Sequence, residues 1–368
     1  MKMKNIALIL SCTCLLWGSV NAQEAKIADN AKRENVTAKK SRMTINHNGI
    51  HLDIDGEVKI SDDDKHIQYL SPKGEINYRN KNQRLEIKAD NDGNLSYRIN
   101  GDKVQTLSTS DRQLIATCVQ VMINSGIGAE DRAKRIFSRE GATGIWREVE
   151  QLENDYAKRI YLSTLLNQPL STAQMVAFLN RTNQYLSSDY YKSELLNSVM
   201  VSYLEKPETF EAYLNVIRNI QSDYYQYTMV QRLLGHPLSE KQFDGVLTVA
   251  NDIKSDYYQS EVLKSLLKNN DLKDKKIAPV MQAVFNLDSD YYKAEIFKQL
   301  ADKDFNSDKE WSDMINHVQY IKSDHYKTEV LSRIVKNMPQ SETLKTAWQN
   351  AAKLIQSDHH YGKLMRDK

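Results

Sequence analysis

Apolar and polar residues alternate between Met43 and about Gln105, for example from Ile50 to Ile54 and from Leu95 to Ile99. Strict alternation places successive side chains on opposite faces of a β-strand. Dipeptides that accept positive φ angles interrupt the alternation, and this combination predicts an antiparallel β-meander of roughly six to eight short strands over residues 43–107. These dipeptides are Asn48-Gly49, Asp55-Gly56, Asp92-Gly93 and Asn100-Gly101.

Beyond residue 107 the apolar residues recur at helical spacing. Ser110-Asp111 is a candidate helix cap, and helical patterns follow from Arg112 to Met122 and from Glu130 to Phe137. A break is expected between Gly141 and Gly144. We interpret residues 108–140 as connecting helices.

A short motif recurs seven times in the last two-thirds of the chain, most often as Ser-Asp-Tyr-Tyr. The gaps between successive motif aspartates are 34, 34, 33, 34, 34 and 34 residues. Such a regular period is typical of stacked repeats, each of which buries its apolar face against its neighbours. The motif aspartates are Asp155, Asp189, Asp223, Asp256, Asp290, Asp324 and Asp358.

Each repeat is predicted to be an αα-hairpin. Ser239–Gln242 has the pattern of a capping box that begins a first helix, and Asp256 opens the second helix of the same unit. The length matches the tetratricopeptide repeat, but the Trp, Gly and Pro pattern of that repeat is absent. We therefore predict an α+β protein, with a small antiparallel β-domain followed by an αα-hairpin solenoid over residues 141–368.

The motif predicts different surroundings for its two aromatic positions. We number the aspartate as position zero and turn about 100° per residue. The apolar positions +6, +7, +10 and +11 then define the buried face, position +2 borders it, and position +1 points away. The residues at position +1 are a candidate recognition strip, although each ring could instead pack on the first helix of its own or the next repeat. This strip comprises Tyr190, Tyr224, Tyr257, Tyr291 and His325.

The motif aspartates are predicted to have a structural role. Each one lies in the first turn of a helix, where backbone N–H groups are free and the helix dipole favours a negative charge. All seven, from Asp155 to Asp358, are therefore interpreted as helix caps or dipole partners. Position +3 carries lysine or glutamine, whose head group is expected to reach an aspartate or an exposed carbonyl of the next repeat, or else solvent.

The N-terminus resembles a secretory signal peptide. A basic start is followed by an apolar stretch from Ile6 to Trp17 and by the small-residue cleavage pattern Val20-Asn21-Ala22. Residues 1–22 are therefore predicted to be removed, and residues 23–42 to form a flexible linker. A lipoprotein modified at Cys12 is disfavoured, because the preceding Ile9-Leu10-Ser11 is atypical and the apolar stretch before it is short.

Charge and cysteine content exclude several classes of protein. Of 50 basic and 48 acidic residues, Lys2 and Lys4 would leave with the signal, so the mature net charge is zero. A nucleic-acid-binding protein would carry a basic excess. Cys118 would be the only remaining cysteine, which excludes an internal disulfide. No later apolar stretch has the length of a membrane span.

No catalytic motif is found in the sequence. None of the eight histidines is followed by glutamate, so a His-Glu-x-x-His zinc helix is absent. Asp53–Gly56 and Asp90–Gly93 resemble fragments of calcium loops, but hairpin turns account for both. The sequence predicts no catalytic, cofactor-binding or metal-binding residue.

From about Ile45 onward the chain resembles the extracytoplasmic C-terminal region of β-lactam-sensor-type membrane metallopeptidase proteins. The matching pieces are Leu70–Gly74, Asp92–Leu95, Arg98–Gly101 and the Ser-Asp-Tyr helical repeats. The membrane peptidase domain of that family, with its His-Glu-x-x-His helix, has no counterpart here. The resemblance implies an exported sensory or interaction module without catalytic residues.

These observations favour an exported, non-catalytic repeat protein that binds a protein or polymer partner in the cell envelope, periplasmic or extracellular. An exported hydrolase with a site between the β-domain and the first repeats is one alternative. A purely structural envelope component is another. An enzyme would require convergent polar groups in a pocket, whereas a binding module would present an open repeat face.

Overall fold

A computed structural model of the chain describes residues 42–47, 49–268, 277–303, 305 and 307–366. The predicted signal peptide and nearly all of the predicted linker lie outside the described residues. Contacts between Cα atoms divide the chain into two compact units, with the boundary between Gly128 and Ala129.

The first unit contains eight described strands, all paired antiparallel. Six of them form one sheet in the order β1-β2-β5-β6-β7-β8, while β3 and β4 pair only with each other. The predicted antiparallel β-domain is confirmed, and the β3–β4 hairpin interrupts its meander. The strands are β1 (Arg42–His47), β2 (Ile50–Asp55), β3 (Val58–Ile60), β4 (Ile67–Leu70), β5 (Glu75–Arg79), β6 (Arg84–Ala89), β7 (Leu95–Ile99) and β8 (Asp102–Val104).

Alternation and turn geometry together define the register of the sheet. Ile76 on β5 lies opposite Ile54 on β2 and Ile87 on β6, and all three side chains are buried. Between β7 and β8, both Asn100 (φ 52°) and Gly101 (φ 100°) adopt positive φ angles. A two-residue hairpin turn requires this left-handed backbone, which explains the Asn-Gly pair at this position.

Helix α1 (Thr109–Asn124) completes the first unit. Its cap is Ser108, which forms a capping box with Asp111, so the expected Ser110-Asp111 cap was placed two residues too late. The buried stripe of α1 includes Cys118, and burial raises the pKa of this thiol to about 12.

The second unit is an array of helical hairpins, which confirms the predicted repeats. The first helices of the hairpins are α2 (Ala129–Gln151), α4 (Thr172–Tyr185), α7 (Pro207–Arg218), α9 (Glu240–Asp252), α11 (Ile277–Phe285), α13 (Asp308–His317) and α15 (Glu342–Ala352). The second helices all begin at a motif aspartate: α3 (Asp155–Leu166), α5 (Asp189–Ser198), α8 (Asp223–Leu234), α10 (Asp256–Lys268), α12 (Asp290–Ala301), α14 (Asp324–Asn337) and α16 (Asp358–Arg366). A short helix α6 (Val201–Leu204) and a 3₁₀ turn (Val318–Tyr320) lie in two of the connections.

Two local predictions are confirmed in this unit. Helix α2 is kinked at Gly141 (φ 61°, ψ −152°), within the predicted break. Ser239 and Gln242 form the predicted capping box of α9.

The core of the array follows the predicted helical phase. In α10 the residues at positions +6, +7, +10 and +11 are Val262, Leu263, Leu266 and Leu267, and each is fully buried. Burial of an aliphatic side chain of this size stabilises a fold by roughly 1.5–3 kcal/mol. Adjacent second helices contact one another, as do adjacent first helices, so the apolar layer continues from repeat to repeat.

Candidate recognition surface

The motif aspartates join consecutive repeats. The carboxylate of Asp189 accepts hydrogen bonds from the backbone N–H groups of Gln221 and Ser222, both at 2.9 Å. Ser222 is the N-cap residue of α8, so Asp189 satisfies free donors at the helix start of the next repeat. We call this contact the aspartate staple. The same contact is made by Asp155, Asp223, Asp256, Asp290 and Asp324, each to an amide 31 to 33 residues further on.

The aspartates were interpreted as helix caps or dipole partners, and the described side-chain hydrogen bonds of six of them go to the start of the second helix in the next repeat. In α5 the own-helix cap is Ser188, whose hydroxyl accepts from the backbone N–H of Tyr191. Asp358 makes no hydrogen bond or ion pair within the described part of the chain. The described contacts of the other six motif aspartates therefore join one repeat to the next.

The lysines at position +3 join the same pair of repeats. Lys192 is buried, and its Nζ donates to the carbonyl oxygen of Asn219 at 3.1 Å. Asn219 follows α7 in the next repeat, so the lysine satisfies a carbonyl at the end of that helix. The predicted bond to a carbonyl of the next repeat is confirmed for the lysines, whereas Gln226 donates to the carbonyls of Ile217 and Ile220 in its own repeat. Three other lysines, Lys158, Lys293 and Lys327, bond in the same way to the carbonyl 27 residues further on.

The tyrosines at position +1 are exposed, as the helical phase predicts. The exposed fractions are 42% for Tyr190, 50% for Tyr224, 49% for Tyr257 and 47% for Tyr291, and His325 is also exposed. The tyrosines at position +2 are half-buried, which matches their predicted place at the border of the core. Burial raises the pKa of Tyr225 and of Tyr292.

The two aromatic positions form one continuous row. Tyr224 contacts Tyr225 of its own repeat at 5.2 Å between ring centroids and Tyr258 of the next repeat at 6.1 Å, both edge to face. Such geometry is favourable for aromatic pairs. We call this row the aromatic ladder. In spatial order it comprises Tyr156, Tyr191, Tyr190, Tyr225, Tyr224, Tyr258, Tyr257, Tyr292, Tyr291, Tyr326, His325, His360 and His359.

The position +1 rings were interpreted as a candidate recognition strip, with packing on first helices as the alternative. In the structure, each ring of this strip lies between two position +2 rings, and about half of its surface is exposed. The signal that could have revealed this was already in the motif. Two adjacent aromatic residues on each of several stacked helices bring position +1 of one repeat beside position +2 of the next.

Glutamates lie one helical turn beyond the exposed rings. Position +5 follows position +1 by four residues, so both side chains lie on the same helix face. Glu329 Oε1 lies 3.4 Å from His325 Nε2. Lys298 Nζ lies 2.5 Å from Glu295 and 3.1 Å from Glu329, a carboxylate of the next repeat. The position +5 glutamates are Glu194, Glu261, Glu295 and Glu329.

The pKa of Lys298 shows the electrostatic effect of Glu295 and Glu329. Burial alone would lower the pKa of Lys298, but its hydrogen bonds to Glu295 and Glu329 outweigh burial and raise the pKa. The face beside the ladder therefore stabilises an ammonium group. A cation can also bind over the faces of tyrosine rings.

In the first unit, His51 is held by side chains of neighbouring strand residues. His51 Nδ1 lies 2.5 Å from Asn46 Oδ1, and His51 Nε2 lies 3.0 Å from Asp53 Oδ2. Both ring nitrogens are thus occupied by neighbouring strand residues. Thr44 donates to the same Asp53, and this bond is the largest cause of the lowered pKa of that carboxyl.

Within the described ranges, no group of three or more His, Cys, Asp or Glu residues is arranged to hold a metal ion. None of the described helices combines the length and the apolar character that a membrane span requires. No family model and no curated protein matches the chain. The resemblance to the metallopeptidase-associated region therefore stays a prediction.

Proposed function

We propose that the repeat array binds an extended, basic polypeptide segment along the aromatic ladder. The single observation that carries this proposal is the continuity of the ladder across seven second helices while its position +1 rings stay about half exposed. Repeat arrays present extended binding surfaces of this kind. Aromatic rings add contact area with little loss of rotamer entropy.

The geometry of the ladder supports binding without rearrangement. Each position +1 ring touches two neighbouring rings, so its orientation is already restricted before a partner arrives. A surface that is ordered in advance loses less conformational entropy on binding. The Asp and Lys contacts beneath the ladder hold consecutive second helices at a constant spacing, which repeats the same surface along the array.

The charges beside the ladder favour a basic partner over a neutral polymer. Lysine and arginine side chains can bind over the ring faces and share the position +5 carboxylates, three of which already bind Lys264 or Lys298, whereas a neutral glycan would use the rings alone. Lys298 provides an internal example, because its ammonium group bridges Glu295 and Glu329 across two repeats.

We also propose that the protein acts outside the cytoplasm as a non-catalytic interaction module. The apolar N-terminal segment and the small-residue cleavage pattern support export. The resemblance described above is compatible with a sensory role in the cell envelope.

Binding can be tested by fluorescence anisotropy with a labelled peptide of alternating lysine and glycine. A length of about twelve residues spans roughly four repeats, since an extended chain rises about 3.3 Å per residue and packed helices lie about 8–10 Å apart. The variant Tyr224→Ala/Tyr257→Ala/Tyr291→Ala is expected to bind this peptide at least about tenfold more weakly than the unchanged chain, because it removes three cation–π partners.

Tyr69→Ala/Tyr320→Ala is the matched control, since these two tyrosines are 38% and 40% exposed and lie outside the ladder. The control should bind like the unchanged chain. Equal loss in both variants would contradict the proposal. Binding of an N-acetylglucosamine oligosaccharide in place of the basic peptide would identify the ladder as a glycan surface instead.

A further inference from the structure

A surface pocket of about 250 Å³ lies on second helices α12, α14 and α16. Its lining carries four basic residues, Lys298, Arg333, Lys336 and Lys363, against one carboxylate, Glu329. The hydroxyls of Thr328 and Ser332 complete the polar lining. This composition contrasts with the acidic row that accompanies the ladder in the earlier repeats.

The side-chain charge changes from negative to positive at one motif position. Position +5 is glutamate in the repeats of Asp189, Asp256, Asp290 and Asp324, but it is Lys363 in the repeat of Asp358. On the neighbouring helix α14, Arg333 and Lys336 add two further positive charges. The glutamate row therefore ends against a basic pocket.

Two of the four basic groups are already neutralised. Arg333 binds Asp302 with Nε at 2.5 Å and a second nitrogen at 2.8 Å. Lys298 is shared between Glu295 and Glu329. The single carboxylate of the pocket is thus itself engaged, by Lys298 and by His325.

The other two basic groups, Lys336 and Lys363, are uncommitted. Neither ammonium group makes an ion pair or a hydrogen bond within the described ranges. Both side chains are exposed and line the same pocket, which concentrates two positive charges in one depression. An anion bound in this pocket would be attracted by both ammonium groups.

We infer that this pocket binds a compact anionic group, a carboxylate or a phosphate, through the ammonium groups of Lys336 and Lys363. Ser332 lines the same pocket, and its hydroxyl is a hydrogen-bond donor. Hydrogen bonds between ammonium groups and these oxyanions are among the stronger polar contacts in proteins. The inference does not depend on the function proposed for the ladder.

Isothermal titration calorimetry of the full chain with inorganic phosphate and with acetate, at constant ionic strength, tests the inference. The unchanged chain is expected to bind one equivalent of phosphate, acetate or both. The ratio of the two affinities tells whether the natural group is a phosphate or a carboxylate. Lys336→Ala/Lys363→Ala should weaken this binding at least about tenfold, since it removes two charge-assisted hydrogen bonds.

Lys322→Ala/Lys353→Ala is the matched control, because it removes the same charge from exposed lysines of the same two repeats that do not line the pocket. This control and Lys336→Arg/Lys363→Arg, which keeps the pocket charge, should both retain binding. Equal weakening in the two alanine variants would reduce the effect to general electrostatic attraction and overturn the inference. Absence of saturable binding by either anion would overturn it as well.

Discussion

The two units of this chain satisfy their backbone polar groups in different ways. In the sheet, strands such as β2 and β5 pair through their own backbones across the intervening β3–β4 hairpin. In the array, the backbone groups of the inter-helix turns after the first hairpin are bonded by side chains from the preceding repeat, such as Asp189 and Lys192. The sheet therefore depends on the continuity of its strands. The array depends on a few charged side chains that recur with the repeat.

Deletion of whole segments should give the largest difference in behaviour between the sheet and the array. Removal of residues 239–272 takes out one full period, and we expect a shorter array that stays folded, because each repeat contacts only its neighbours. Removal of residues 75–89 takes out β5 and β6 from the middle of the sheet. We expect this second deletion to abolish the sheet while the array persists.

Limited trypsin digestion followed by mass spectrometry distinguishes the two deletions. The chain without β5 and β6 should be cleaved rapidly within residues 42–104 and slowly within the array. Complete loss of helix, measured by circular dichroism, in the chain without residues 239–272 would contradict the description of the array as a set of neighbour-coupled repeats.

Loss of one aspartate staple should cause the next largest effect, a decrease in the free energy of unfolding. Asp256→Ala leaves the backbone N–H groups of Asp288 and Ser289 without their acceptor, which lies at 3.0 and 2.6 Å. A hydrogen bond to a charged group contributes about 1.5–3 kcal/mol, and water can replace the acceptor of the more exposed of these two bonds, so we expect a loss of about 2–3 kcal/mol in the free energy of unfolding. Urea titration followed by circular dichroism measures the loss.

The chain contains its own control for the staple. Asp358 occupies the same motif position, but its carboxylate makes no hydrogen bond within the described residues. Asp358→Ala should change the free energy of unfolding by less than about 0.5 kcal/mol, as is usual for surface substitutions. Equal losses in both variants would mean that the aspartates act within their own helices.

The two aromatic positions of the motif should differ by a smaller amount. Tyr258→Ala removes a half-buried ring that contacts Tyr224, Tyr227 and Tyr257. We expect a loss of about 1–2 kcal/mol from these aromatic pairs. Tyr257→Ala removes a ring with two such contacts and half of its surface exposed, so its loss should be smaller. Thermal melting of the two variants compares them directly, and a reversed order would refute the ranking by burial.

Removal of the ion pair between Asp302 and Arg333 should cause the smallest loss in the free energy of unfolding, and this loss should depend on pH. The hydrogen bond from Arg333 lowers the pKa of Asp302. Burial of this carboxyl acts in the opposite direction, but the net pKa is lowered. A carboxyl whose pKa is lowered by folding stabilises the fold above its unfolded pKa, and this stability is lost as the pH falls through the folded pKa. The difference between the unchanged chain and Asp302→Asn should therefore be full at pH 6 and smaller at pH 3, below the ordinary aspartate pKa of about 3.9.

Urea titration at the two pH values measures this difference. It should stay below that of Asp256→Ala, because Asp302 and Arg333 are both largely solvent-exposed. A difference that is independent of pH would show that the amide in Asp302→Asn, and not the lost charge, is responsible.

Local patterns in the sequence predicted the elements of both units. Alternation from Ile50 to Ile54 predicted β2, and the capping box at Ser239 predicted the start of α9. The N-cap of α1 was predicted at the wrong residue. Ser108 and Ser110 are both suitable cap residues, and only the backbone geometry distinguishes them. The β3–β4 hairpin was not distinguished from the meander, because alternation does not specify which strands pair.

The repeat period and the helical phase were determined by the sequence alone. A nearly constant interval between motif aspartates indicates repeated units of similar length, and the positions of apolar residues on a helix determine which rings face outward. Tyr257 is exposed and Leu263 is buried for this reason. The partners of the charged and aromatic side chains were decided only by the tertiary structure. Asp256 binds amides 32 and 33 residues away, and Tyr257 touches a ring 35 residues away, because stacking brings together residues that no local rule relates.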